Sequence, residues 1–112
     1  KRAEIYSKAG ADAILIHSKE KTPKEIFAFS KIFNKSKNFI PLVAVPSTYS
    51  NVTEKELVKN NFKIVIYANQ LLRAAYPAME HVAKKILQSG RAAEIEKKII
   101  PIKKIINLIQ SD

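Results

Sequence analysis

The stretch AGADAILIHSK, residues 9–19, decides the fold of this chain. Its centre, Ala13 to Ile16, is a continuous apolar run, which is typical of a strand buried on both faces of a parallel sheet. Gly10 lies just before this run and suits the left-handed position that ends a helix, so we expect the residues before it to be helical. His17 and Ser18 then make the chain polar again, where the predicted strand ends.

The same order of elements recurs twice further along the chain. Leu42 to Val45 and Ile64 to Tyr67 are apolar runs of strand length, separated by stretches with helical periodicity. Helix starts are marked by Thr22 to Glu25 and by a capping box at Thr53 to Glu56. Strands that alternate with helices indicate parallel βαβ units. A complete (β/α)8 barrel takes about 250 residues, so three such units amount to less than half of one.

Further helices are predicted after the third strand. A long helical stretch runs from Gln70 to Ser89 and ends before Gly90. Pro77 lies inside it and predicts a kink or the start of a second helix. Pro101 opens a last helix with an apolar face, formed by Ile102, Ile105, Ile106 and Ile109.

Composition excludes several kinds of site. The 112 residues include no cysteine, so a disulfide framework and a thiolate metal site are excluded. No apolar run approaches the ~20 residues of a membrane span, and no signal peptide is apparent, so we expect a cytoplasmic protein without membrane contact. No methionine opens the sequence, and we expect the chain to begin within a longer protein.

The net charge of +10 raises the question of a nucleic-acid site. Seventeen of the 20 basic residues are lysines, and they are spread over every predicted helix. Sites that read nucleic acid rely more on the planar fork of arginine, so a solvated lysine surface is favoured and nucleic acid is not expected as a partner. A non-catalytic basic α/β module that binds a polyanion stays open as an alternative.

Polar side chains follow each predicted strand. In parallel α/β folds the reactive groups gather at the carboxyl ends of the strands. His17 is the strongest candidate, because an imidazole there can donate to a phosphate or carboxylate, although a structural histidine is the alternative. Ser47, Thr48 and Asn69 occupy the other two strand ends, where helix capping is the simpler explanation.

The residues of this chain do not indicate a complete catalytic centre. No predicted strand ends in a carboxylate, and Glu20 comes closest, in the loop after His17. A magnesium site usually needs one or two carboxylates on the active-site face. Gly10 and Gly90 are the only glycines, so a glycine-rich phosphate loop is also excluded. The sequence therefore predicts no metal ligands and describes part of a site.

Three segments together resemble the phosphoenolpyruvate mutases of the isocitrate lyase superfamily. Arg2 to Lys19 resembles their sixth-strand region, Pro41 to Pro46 their seventh strand, and Ile64 to Met79 their eighth strand and the helix after it. The resemblance implies an α/β fold, the C-terminal part of a (β/α)8 TIM barrel comprising about three βα units, strands six to eight. We expect these units to occupy residues 1–90 and a C-terminal helical tail to occupy residues 91–112.

The resemblance also implies a function. Members of the family interconvert phosphoenolpyruvate and phosphonopyruvate by intramolecular phosphoryl transfer, the entry step of phosphonate biosynthesis, and depend on Mg²⁺. By resemblance, His17 contacts the transferring phosphoryl group, while the metal ligands and the gating loop are expected upstream. The gating loop distinguishes mutase from phosphonopyruvate hydrolase, so hydrolase or another lyase of the superfamily stays open. The 112 residues alone are expected to be inactive. The family exchanges its last barrel helix between subunits, so Gln70 to Ser89 is expected to pack on a second copy in a homo-oligomer.

Overall fold

A computed structural model describes residues 1–108, in which strands and helices alternate as far as a long helix, and two short helices follow it. The three strands form a parallel sheet in the order β1-β2-β3, with helices between them, as the sequence predicts. The elements are α1 (Arg2–Lys8), β1 (Ile14–Ile16), α2 (Lys24–Phe33), β2 (Leu42–Ala44), α3 (Glu54–Lys59), β3 (Phe62–Val65), α4 (Gln70–Ser89), α5 (Ala93–Glu96) and α6 (Ile102–Ile106). Among these residues no helix is both long and apolar enough to cross a membrane.

One face of the sheet forms the core. Ile14, Leu42 and Phe62 lie side by side in register, and their side chains are buried. Helices α2 and α3 contribute Ile26 and Leu57 to the same cluster, and both are almost completely inaccessible to water. Because each buried side chain of this size contributes about 1.5–3 kcal/mol, this one face supplies much of the stability of the sheet.

The opposite face of the sheet is only partly covered. Leu15, Val43 and Ile64 are neighbours in register on this face, and Leu15 and Ile64 expose 55% and 47% of their surface. The run Ala13 to Ile16 has a pattern typical of a strand buried on both faces, but within residues 1–108 Leu15 of β1 is exposed on this face. In a closed barrel the face that turns away from the helices is the interior, where side chains from further strands pack against it.

The third strand begins earlier than its apolar run suggests. It spans Phe62–Val65, whereas Ile64 to Tyr67 is the more apolar stretch. Phe62 starts the strand because its ring is buried in the core, 1% exposed. The register shifts between Leu42 and Val43, so that Lys63 is left as an extra residue.

Local signals for helix ends are confirmed in most places. The capping box at α3 is complete: the Thr53 hydroxyl accepts from the Glu56 N–H, and the Glu56 carboxylate accepts from the Thr53 N–H. Gly10 and Gly90 have positive φ angles of 95° and 67°, as their positions after helices require. At α2 the helix begins at Lys24 without a side-chain cap, so capping by a threonine there is wrong.

Two compact units make up the chain, Lys1–Asn69 and the residues from Gln70 onward. In the second unit, α4 continues through Pro77 as one helix, so a second helix does not begin there. Ile95 of α5 is buried, 3% exposed. The predicted division between residues 1–90 and 91–112 stays a prediction, and Ile109 lies outside the described residues.

Candidate active site

His17 is the first residue after β1, at the carboxyl edge of the sheet. Its ring is exposed, and it lies beside the ring of Tyr49 with centroids 6.2 Å apart and planes tilted by 41°. The position matches the expectation from sequence that the histidine stands where a barrel opens. An accessible imidazole at this edge can donate a hydrogen bond to an anionic substrate.

Ser18, which follows His17, takes part in three hydrogen bonds. Its side chain is 3% exposed, and its hydroxyl donates to the Glu25 carboxylate in the first turn of α2. The same hydroxyl accepts from the Glu20 N–H at 3.1 Å. Its carbonyl oxygen accepts from the Thr48 hydroxyl at 2.7 Å. The backbone immediately after the histidine is therefore tied to α2 and to the loop after β2.

Thr48 serves a different purpose from the helix cap that its loop position suggests. The capping residue of α3 is Thr53, and Thr48 joins the loops after β1 and β2 instead. The Asn69 side chain makes a comparable link, because its Nδ2 donates to the Ser47 Oγ at 3.4 Å. These two contacts connect the carboxyl ends of all three strands, so the predicted polar residues do lie along one edge.

Tyr49 is a neighbour of His17 that the sequence analysis does not single out. Its side chain is completely buried, and its hydroxyl oxygen makes no hydrogen bond of normal geometry within the described residues. Burial raises the pKa of the Tyr49 hydroxyl, and the backbone of Val45 opposes part of that rise. Tyr49 therefore stays protonated and uncharged at neutral pH, and its ring presents an apolar surface beside His17. Its position beside His17 follows from loop packing, for which the sequence carries no local signal.

Tyr67 also escapes prediction as a polar group, because it ends an apolar run. Its hydroxyl donates to Glu54 Oε1 at 2.9 Å, and more than half of its surface is exposed. This hydrogen bond to a carboxylate is the main reason that the pKa of Tyr67 is raised. The contact joins the residues after β3 to the first turn of α3.

The described residues do not form a metal site. No group of three or more His, Asp or Glu side chains in residues 1–108 comes together in a way that could hold a metal ion. At the carboxyl edge the Glu25 carboxylate accepts from Ser18, and Glu20 is exposed in its loop. Mg²⁺ needs oxygen ligands in near-octahedral geometry, so these residues by themselves do not fit that ion.

A scan against protein families relates the chain to known proteins. The family model described as phosphoenolpyruvate phosphomutase matches residues 1–87. The chain belongs to this family. Its similarity to the phosphoenolpyruvate mutases, first indicated by the segment around His17 and by the third strand region, is thereby confirmed.

Characterised relatives of this phosphomutase-family chain fall into two activities. It is 41% identical over 109 residues to a phosphonopyruvate hydrolase of Variovorax sp. (strain Pal2), covering 96% of this chain and 37% of the relative. It is 39% identical over 112 residues to a phosphoenolpyruvate phosphomutase of Tetrahymena pyriformis, covering 100% of this chain and 36% of that protein. The chain therefore spans a little over a third of the length of these relatives.

Solved structures support the barrel assignment. A phosphoenolpyruvate phosphomutase from Streptomyces platensis subsp. rosaceus superposes with a TM-score of 0.82 at 37% identity, over 96% of this chain and 36% of that one. A phosphonopyruvate hydrolase in complex with oxalate and Mg²⁺ superposes with a TM-score of 0.81 at 42% identity, over 96% and 37%. The α/β fold predicted from sequence, three βα units of a TIM-like barrel, is confirmed.

Proposed function

We propose that the whole protein interconverts phosphoenolpyruvate and phosphonopyruvate, and that His17 contacts the phosphoryl group that moves. The observation that carries this proposal is the placement of an exposed imidazole at the carboxyl edge of a barrel sheet, on a backbone held from two sides. Membership of the phosphoenolpyruvate phosphomutase family favours this enzyme over a basic module that binds polyanions.

Phosphoryl transfer requires that the substrate is held in position and that the negative charge of the transition state is stabilised. In the mutase reaction one phosphoryl group leaves the carbon of phosphonopyruvate and is taken up by the enolate oxygen of the same molecule. A phosphoryl group in transit spreads negative charge over its oxygens, and a fixed donor aimed at those oxygens stabilises it. We assign this donation to the His17 ring, which lies beside the buried ring of Tyr49.

Phosphonopyruvate hydrolysis is the second candidate. It is favoured by the 41% identity to the Variovorax hydrolase, which is close to the 39% identity to the Tetrahymena mutase. In that reaction the phosphoryl group passes to water, leaving pyruvate and inorganic phosphate. The same donor at His17 serves both reactions, since both move the phosphoryl group away from carbon.

Mg²⁺ is proposed as the cofactor of the whole protein. The support is the related hydrolase structure that holds oxalate and Mg²⁺. When bound, the ion would neutralise charge on the substrate oxygens. We expect its ligands to come from barrel residues other than those described, because the described residues bring no suitable cluster together.

Phosphorus NMR separates the two candidate reactions. The chain, joined to the rest of its barrel, is supplied with phosphonopyruvate and Mg²⁺. A phosphate-ester signal identifies the mutase, and an inorganic phosphate signal identifies the hydrolase. His17→Ala is expected to lower kcat by roughly a hundredfold or more, whereas His81→Ala, an exposed histidine on α4, leaves it unchanged. Activity in His17→Ala equal to the parent would contradict the assignment.

A second copy of the chain is proposed to cover α4. None of the residues of this helix is buried, although it carries a stripe of apolar side chains at intervals of three and four residues: Leu72, Tyr76, Met79, Ala83 and Ile86. Such spacing is that of a helix–helix seam. The support is this unpartnered stripe together with the exchange of the last barrel helix that the family resemblance implies.

A further inference from the structure

We propose that Thr48 and Glu25 are positioning residues that act through Ser18 to hold His17 at the site. The proposal rests on the proposed role of His17 and adds how the ring is kept in place. Neither side chain contacts His17 itself in the described hydrogen-bond network. Each forms a hydrogen bond with Ser18, the residue after His17.

Ser18, the residue that both side chains hold, is buried. Ser18 is 3% exposed, so water cannot easily replace the partners of its hydroxyl and carbonyl groups. A buried polar group without a partner is costly, which gives both hydrogen bonds a strong preference for remaining formed. The bond to the Glu25 carboxylate is charge-assisted and is therefore the stronger kind.

The two hydrogen bonds to Ser18 come from different elements. Glu25 belongs to α2, which follows β1, and Thr48 belongs to the loop after β2. The hydroxyl of Ser18 is therefore held from its own βα unit, and its carbonyl is held from the next unit along the sheet. Two anchors on different elements fix the position and the orientation of Ser18, the residue bonded directly to His17.

The loop that carries Thr48 also contacts the His17 ring through the residue after it. Tyr49, whose ring flanks the imidazole at 6.2 Å, is the residue next to Thr48. The loop after β2 therefore makes two contacts near His17. Thr48 binds the backbone of Ser18, and the ring of Tyr49 lies beside the His17 ring. Loss of the Thr48 hydroxyl should allow the two loops to separate, which would move the ring relative to a bound phosphoryl group.

The test compares variants that differ in one hydrogen bond. Thr48 is exposed, so Thr48→Val removes the hydroxyl at similar volume with little risk to folding, and Thr48→Ser restores it. Glu25→Ala removes the second anchor, and Glu25→Gln retains an acceptor oxygen. Ser50→Ala, at an exposed position in the same loop, is the matched control.

The first readout does not need activity. In the 112-residue chain, NMR measures the Overhauser contact between the His17 and Tyr49 rings, with the signals of the buried Leu57 methyl groups as a check of folding. We expect the ring contact to weaken in Thr48→Val and Glu25→Ala, and to be kept in Thr48→Ser, Glu25→Gln and Ser50→Ala. An unchanged contact in both disruptive variants overturns the proposal.

The second readout is kinetic and uses the chain within its complete barrel. Because a misplacement of about 1 Å can cost up to a hundredfold in rate, Thr48→Val is expected to lower kcat by roughly tenfold to a hundredfold with KM nearly unchanged. Thr48→Ser should recover most of the rate. Full activity of Thr48→Val alongside an inactive His17→Ala overturns the positioning role and leaves the proposed function intact. Full activity of His17→Ala refutes the role of His17 in the proposed function, while the ring contact still reports on the two anchors.

Discussion

Ser30→Ala is expected to destabilise the first unit by about 1.5 kcal/mol. Ser30 lies in α2 with 1% of its surface exposed. Its hydroxyl donates to the Asn60 carbonyl oxygen at the end of α3 and accepts from the Asn34 Nδ2 at 3.1 Å. The hydroxyl therefore ties together the two helices that cover the core face of the sheet.

The magnitude follows from two opposing effects. Leaving the carbonyl of Asn60, a half-buried residue, without its donor costs about 1–3 kcal/mol. Alanine forms helices better than serine, which stabilises α2 by about 0.5 kcal/mol at this position. Asn34 is half-buried, so water can replace part of what its Nδ2 loses. Since the first effect is the larger, the free energy of unfolding should fall by about 0.5–2.5 kcal/mol.

The assay is urea unfolding followed by the methyl signals of Leu57, which belongs to the same buried cluster. Ser50→Ala serves as the control, because an exposed substitution should change the free energy of unfolding by no more than about 0.5 kcal/mol. A double-mutant cycle with Asn34→Ala should show a coupling of about 0.5–1.5 kcal/mol. A loss in Ser30→Ala no greater than in the control would refute the reasoning about the buried hydroxyl.

Three further perturbations test local features. Hydrogen bonds from Thr53 lower the pKa of Glu56, so this carboxylate stabilises the folded chain above its ordinary pKa of 4.5. That stabilisation is lost as the pH falls through the lower pKa of the folded state. Glu56→Gln should therefore make the free energy of unfolding depend less on pH in this acidic range. Glu54→Gln should bring the raised pKa of Tyr67 back toward 10.0, measured by the ultraviolet absorbance of tyrosinate, because it removes the charged acceptor. Met79→Lys should weaken self-association at least about tenfold in sedimentation, since a buried unpaired charge costs several kcal/mol.

Matched variants make each of these results specific. Lys55→Ala, exposed on α3, should leave both the acid unfolding curve and the tyrosine titration nearly unchanged. Lys85→Ala, exposed on α4 away from the apolar stripe, should leave sedimentation unchanged. Equal effects of Lys85→Ala and Met79→Lys would contradict the helix–helix seam.

Much of the fold is predictable because its signals are local. A capping box needs residues only three positions apart, so Thr53 and Glu56 announce the start of α3 in the sequence itself. Gly10 and Gly90 mark helix ends because a left-handed backbone favours glycine regardless of what packs nearby. The sequence predictions are wrong where a tertiary contact overrides the local pattern. Phe62 joins β3 because its ring fills the core, although the more apolar run begins two residues later.

The sequence by itself determined the order of strands and helices, the polar strand ends and the place of His17, because apolar periodicity and punctuation act over a few residues. Only the tertiary structure decided what surrounds that histidine. Thr48 meets the Ser18 carbonyl across a separation of 30 residues, and the Tyr49 ring comes alongside the imidazole in the same way. These contacts depend on which strands are neighbours and in what register they pair, and strand pairing is a property of the folded chain rather than of any short segment of it.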